Sequence, residues 1–188
     1  METEKLEWKT DGKGLSNEFI QNVGKQLSPH FEKVLSCDKL IRYTPKCLTS
    51  KRTKKSCLAV NLAESKELQG HFILIIVDLR RQSRYHLRVF CSLKLWSLDG
   101  NVLRFIERLK QLLKAKTKMK NLRLWYSPRR LQPLSSFHCG FWILAFLCSQ
   151  EKRPKESEEI FYAQFDYPPS VRNDNLVVDY LQSFIKDM

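Results

Sequence analysis

The apolar residues of the chain fall into alternating and helical periods that mark out its elements. HFILIIVDL, His71 to Leu79, is β-branched, apolar and bounded by turn residues, and predicts a strand with His71 at its first position. Arg80 to Ser83 then make a turn, and Arg84 to Leu93 alternates well enough to return as the hairpin partner. SCLAVNL, Ser56 to Leu62, reads as a short buried strand, and Asn121 to Tyr126 as a further one. Helical spacing appears three times. Ser16 or Asn17 caps a helix with Phe19, Ile20, Val23 and Leu27 on one face, ended by Ser28-Pro29. Asp99 to Lys116 turns Val102, Phe105, Ile106, Leu109, Leu112 and Leu113 inward, and Asn173 to Lys186 does the same with Leu176, Val177, Tyr180, Leu181, Phe184 and Ile185. Residues 31 to 53 are mixed and basic, and Lys51, Arg52, Lys54 and Lys55 are expected on a loop. Glu64 to Gly70 reads as a polar turn, Glu151 to Glu159 as a charged connection, and Phe161 to Tyr167 as an extended aromatic segment.

One stretch fits neither period. Cys139 to Cys148 is apolar on every face, which predicts a helix buried in the middle of the fold. At ten residues it cannot cross a bilayer. If Cys139 opens that helix, its sulfur meets unpaired N–H groups and the positive end of the helix dipole, a setting that lowers a thiol's pKa. Gln132, in the loop Ser127 to His138, brings an amide that can bind an oxyanion. The competing reading is a packed cysteine, since free cysteine is among the most buried residue types.

The chain has 188 residues and 43% hydrophobic content, enough for one sizeable core, and 1–188 is expected to be a single domain with 1–14 as a mobile tail. Its formal net charge of +13 favours contact with a polyanion such as DNA, against the plain alternative of a solvated basic surface. The cations in question are Arg104, Arg108, Lys110, Lys114, Lys116, Lys118 and Lys120, and binding through them would be salt-sensitive and sequence-independent. The opening METEKLEWKTDGKG has no apolar core, so no signal peptide is expected. Six cysteines without a closely spaced pair point to reduced thiols and to no metal site.

Taken together, Gly70-His71-Phe72, Gln132 and Cys139-Gly140 resemble the adenovirus protease (adenain) family and, more distantly, the SUMO- and ubiquitin-like-protein proteases. The likeness runs over most of residues 15 to 186. It implies an α+β, papain-like cysteine protease architecture, with a mixed central sheet packed on the buried helix that starts at Cys139. It also implies a cysteine endopeptidase of viral maturation type that cleaves polypeptides near small residues such as Gly. His71 would be the general base, Cys139 the nucleophile, and Gln132 with the Cys139 N–H the oxyanion hole. Two positions depart from the pattern. Phe72 stands for the usual Trp and is expected to wall the imidazole, and the family's acid falls at Cys91.

No Asp or Glu lies between Asp78 and Asp99. Asp78 would be about 23 Å along the strand from His71, so the third member is left between Cys91 itself, Asp99 and none. A Cys–His dyad, a replacement acid and a degenerate binding module for DNA or a ubiquitin-like partner stay open. In adenain, DNA and a disulfide-linked peptide are cofactors. The matching cysteine would be at Asn121, so a covalent peptide is not expected here, while DNA and a non-covalent activating peptide are. A monomer without membrane contact is expected, in host nucleus and virion if viral and otherwise in nucleus or cytoplasm.

Overall fold

The computed structural model describes residues 14–63, 70–80, 83–93, 100–117, 121–152 and 158–185. Five strands form one mixed sheet in the order β1 (Phe31–Ser36), β2 (Lys55–Asn61), β3 (Phe72–Asp78), β4 (Leu87–Phe90) and β5 (Leu124–Tyr126). The central pairs β2/β3 and β3/β4 are antiparallel, and the outer pairs β1/β2 and β4/β5 are parallel. Among the described residues six α-helices flank the sheet: α1 (Asn17–Leu27), α2 (Lys46–Thr49), α3 (Gly100–Thr117), α4 (Cys139–Lys152), α5 (Glu158–Ala163) and α6 (Val171–Ile185).

Successive strand residues face opposite sides, and here both sides are covered. Leu74 and Ile76 of β3 join the core under α4, whereas Ile73, Ile75 and Val77 join a second core under α3. That double burial explains why β3 is apolar at every position before Asp78. The α4 face is built around aromatic rings: Phe146 stacks on Phe90 at 4.3 Å and on Trp125 at 5.3 Å, and Trp142 meets Phe165 at 4.5 Å. Full burial of such a side chain stabilises by about 1.5–3 kcal/mol, which fixes α4 against the sheet.

Two contacts set the ends of α4. At its start, a Cβ on Gly140 would lie 3.0 Å from both Leu15 and Ile20, so the glycine lets α1 come in tightly. At its end, Glu151 accepts from Lys55 Nζ at 2.6 Å and from Ser28 Oγ at 2.7 Å.

Three expectations need correction. Residues 31–36, assigned to mixed basic chain, form β1, because Phe31, Leu35 and Ser36 find buried places beside β2. Lys55, expected on a loop, belongs to β2 and is buried, its charge met by Glu151. Phe161 to Tyr167 is not extended. Its first part lies in α5, where Phe161 and Tyr162 pack on Phe90, Trp125 and Phe146. The turn at Glu64, the 1–14 tail apart from Gly14, and Lys118 and Lys120 lie outside the described residues.

Candidate active site

The head of β3 is assembled by close backbone approach. A Cβ on Gly70 would fall 2.0 Å from Asn61 Oδ1 and 2.5 Å from Ala63 Cβ, so no side chain fits there. Asn61 Oδ1 accepts from Ala63 N–H, its amide donates to Asn17 Oδ1, and Leu62 N–H donates to the His71 carbonyl at 2.8 Å. The backbone of residues 70–72 is thereby locked before His71 takes its place.

Cys139 is the first residue of α4 and 7% exposed. Its Sγ lies 3.9 Å from the Gly70 carbonyl, and the backbone N–H groups of Phe72, Gly140 and Cys139 itself point toward the sulfur. The thiol therefore rests against the main chain on both sides of His71. Its pKa is nonetheless raised: burial outweighs the three N–H groups, and the Asp174 carboxylate acts in the same direction as burial. The lowered pKa expected from the helix start is thus reversed, because the same packing that builds the helix start also removes water from the sulfur.

His71 turns its ring to the other thiol. Nε2 lies 3.3 Å from Cys91 Sγ, and the ring makes no hydrogen bond to Cys139 among the described residues. Cys91 is fully buried in the α3-side core, Cys139 in the α4-side core, and the mouth of β3 stands between them. Burial pushes the imidazole down to about 4, with no carboxylate beside it among the described residues, so at neutral pH it is uncharged. Cys91 thus occupies the place beside the ring where the resemblance puts an acid. Asp99 lies outside the described residues, and Asp78 sits at the far end of β3, bonded to Arg80 at 2.6 and 2.9 Å. Phe72 is buried with the α4-side core.

Gln132 is fully buried. Its Oε1 accepts from Ser92 Oγ at 2.6 Å, and its Nε2 donates one of two hydrogens to the Ser136 carbonyl at 2.7 Å. The Ser92 carbonyl takes the N–H groups of Leu131 and Gln132 at 2.8 and 3.2 Å, and Asn173 Nδ2 on α6 donates to the Leu131 carbonyl at 3.0 Å. Ser92 and Asn173 therefore shape the loop, yet neither stands out in the sequence. Ser92's one signal is its place next to Cys91. A second imidazole, His138, lies directly before Cys139 and faces Asp174, with Nδ1 3.6 Å from Oδ2.

The basic face is less free than its sequence suggests. Arg108 donates to the carbonyls of Ile41 and Tyr43 and to Thr44 Oγ1 at 2.7–2.9 Å, while Lys116 donates to the carbonyls of Cys47 and Leu48 at 2.9 and 2.7 Å. These two cations tie α3 to the segment before β2. Arg104 bonds Asn101, Lys110 pairs with Glu107 at 3.1 Å, and Lys114 is exposed. Among the described residues no group of three His, Cys, Asp or Glu side chains could hold a metal ion, and no helix is long and apolar enough to cross a membrane.

The C-terminal Ulp1 protease domain, solved in complex with Smt3, the yeast ortholog of SUMO, superposes with a TM-score of 0.53 at 14% identity over 94% of this chain and 80% of that one. The chain has the papain-like Ulp1 protease fold. ChlaDub1 from Chlamydia trachomatis matches this papain-like fold with a TM-score of 0.50 at 18% identity, over 73% of the chain and 63% of its own. The ASFV pS273R protease gives 0.48 at 20% identity over 68% of the chain, which spans 43% of that protein's length. Neither a protein-family model nor a curated protein matches the sequence. Cys139 at the start of α4 and the main chain around His71 at the head of β3 thus meet at one end of the sheet, and the Gln132 loop is bonded to Ser92 just after β4.

Proposed function

We propose that the chain is a thiol protease acting on polypeptides, with Cys139 as nucleophile, His71 as base and Gln132 in the oxyanion hole. The observation that carries this is Cys139 Sγ opening a buried helix while resting on the main chain that flanks His71. With Nε2 taken up by Cys91, Nδ1 is the ring atom left for the nucleophile, and catalytic hydrogen bonds often tighten only when substrate binds. His71 accepts the thiol proton, the thiolate adds to the scissile carbonyl carbon, and the oxyanion takes the Cys139 N–H and the second Gln132 Nε2 hydrogen. Collapse expels the amine with the proton from His71. Water then cleaves the thioester and regenerates the thiol.

The substrate reading that follows is cleavage after small residues such as Gly, in viral precursors or at the tails of ubiquitin-like proteins. DNA is retained in the proposal as a non-specific activator held by Arg104, Lys110 and Lys114, and a non-covalent peptide as a second one. The test is turnover of Gly-Gly-ended fluorogenic peptides, with SUMO and ubiquitin conjugates as separate arms, and labelling of Cys139 by a thiol reagent. Turnover abolished by His71→Ala, with labelling slowed, supports the protease. Equal labelling in both proteins and no turnover of any substrate overturns it.

A specific observation favours a second reading. The third position is a thiol in place of a carboxylate and the imidazole is uncharged, as expected of a degenerate enzyme kept as a binding module. Steeply salt-dependent DNA retention, or capture of a ubiquitin-like protein without turnover, marks that outcome.

A further inference from the structure

Gln132 carries an amide with two unlike ends, and its surroundings admit one orientation of it. The Ser136 carbonyl only accepts, so the end that faces it at 2.7 Å is the Nε2 donor. Oε1 is thereby turned to Ser92 Oγ at 2.6 Å, and because an amide oxygen also only accepts, the Ser92 hydroxyl is the donor in that bond. Both residues are fully buried, so bulk water does not reach either side chain.

Ser92 grips Gln132 a second way. Its carbonyl takes the N–H groups of Leu131 and Gln132 at 2.8 and 3.2 Å. Those backbone bonds place the loop, and they need no side chain at 92. The hydroxyl is spent on the amide instead. Its neighbour Cys91 donates N–H to Ser127 Oγ at 2.7 Å and holds its sulfur 3.3 Å from His71 Nε2. Consecutive residues just after β4 thus meet the two groups named above as base and oxyanion donor.

A hydrogen bond to the oxygen of an amide draws electron density from its nitrogen, and bonds linked in this way strengthen one another by about 10–30%. The same bond keeps the amide plane from turning, since Ser136 alone would be a single tether. Fixed orientation matters here because oxyanion donors act by being in place before the charge develops.

We propose that Ser92 is a positioning residue for the oxyanion donor: its hydroxyl, given to Gln132 Oε1, holds the amide plane and polarises the Nε2 hydrogen that Ser136 does not take. This rests on the protease reading, because that hydrogen is the one the reading gives to the oxyanion.

The test is a kinetic cycle in the full chain on a Gly-Gly-ended fluorogenic peptide, with iodoacetamide alkylation of Cys139 followed in parallel by mass spectrometry of the Cys139 peptide. Alkylation displaces iodide at a saturated carbon and forms no oxyanion, so it reports the thiol and not the cradle. Ser92→Ala should lower kcat about tenfold, the worth of one buried hydrogen bond, and leave KM and the alkylation rate within about twofold of wild type. Ser92→Thr, which keeps the hydroxyl, should recover most of the loss. In a Gln132→Ala background Ser92→Ala should cost nothing further, since the group it acts through is gone. Wild-type kcat in folded Ser92→Ala, alkylation that falls as far as kcat, a folded Ser92→Thr as slow as Ser92→Ala, or a second loss of the same size on top of Gln132→Ala each overturn the proposal. If Ser92→Ala does not fold, Ser92→Cys, close in volume and only a weak donor, is read by the same criteria. A wild-type protein with no turnover refutes the protease reading and this with it, whereas wild-type turnover with any of those four results refutes this alone.

Discussion

Cys91→Asp should convert the weakest part of the site into its strongest. The side chain at 91 has its sulfur 3.3 Å from His71 Nε2, and burial has pushed the imidazole to about 4 with no opposing charge beside it among the described residues. A carboxylate in that place is within the distance at which an opposite charge moves a pKa by about 1–3 units. His71 should then rise from about 4 to about 5–7, into the range of an effective general base. The cost is a carboxylate at a fully buried position. Desolvating it there is offset in part by His71, so a loss of about 1–3 kcal/mol in stability is expected alongside. In serine proteases the third triad member is worth about 10⁴ in rate; a thiol needs less help, so a rise of about 10–100-fold in kcat/KM is expected. Cys91→Asn supplies an acceptor without a charge. It should orient the ring and leave the imidazole pKa low, which separates orientation from electrostatics. The measurements are His71 titration by NMR and turnover of a Gly-Gly-ended peptide. A folded Cys91→Asp protein whose imidazole still titrates near 4 refutes the reasoning.

His71 binds its proton at 6.5 when unfolded and at about 4 when folded, so the unfolded chain holds more protons between those values and stability falls as pH drops through that window, by at most about 3 kcal/mol; urea midpoints at pH 7 and pH 4 check it, with His71→Phe expected to flatten the difference. Gly70→Ala puts a methyl group 2.0 Å from Asn61 Oδ1 and should cost about 1–3 kcal/mol and slow Cys139 labelling, whereas a Tm unchanged from wild type contradicts the packing described. Gln132→Ala leaves Ser92 Oγ buried without its acceptor, a loss of about 1–3 kcal/mol, and should reduce kcat by about 10²–10³ with little change in KM; an effect on KM alone speaks against the oxyanion role.

The sequence displays α1, α3 and α6 plainly because each carries one helical period, and β2, β3 and α4 because each is a continuous apolar run. β1 is hidden: only Phe31, Leu35 and Ser36 of its six residues are buried, and its partner is not adjacent in the chain. The aromatic run after Glu158 suggested extended chain because its rings were read without the helix they pack on. Individual residues at the site follow the same divide. Gly70, His71, Gln132 and Cys139 stand out as residue types at a motif's spacing, and Cys91 stands out by counting along the hairpin. Ser92, Asn173 and Asp174 do not, since their part is played through bonds to loops remote in the chain. The raised pKa of Cys139 is hidden for a related reason: a helix start is visible in sequence, and the dryness around it is not.

The bond from Asn173 to the Leu131 carbonyl has a consequence for how the molecule is made. Synthesis runs from the N-terminus, so the strand bearing His71 and the helix bearing Cys139 leave the ribosome before the residue that pins the Gln132 loop. Until α6 docks, the Gln132 loop lacks one of the bonds that hold its backbone in place. Ordering of that loop is thereby tied to the synthesis and docking of α6.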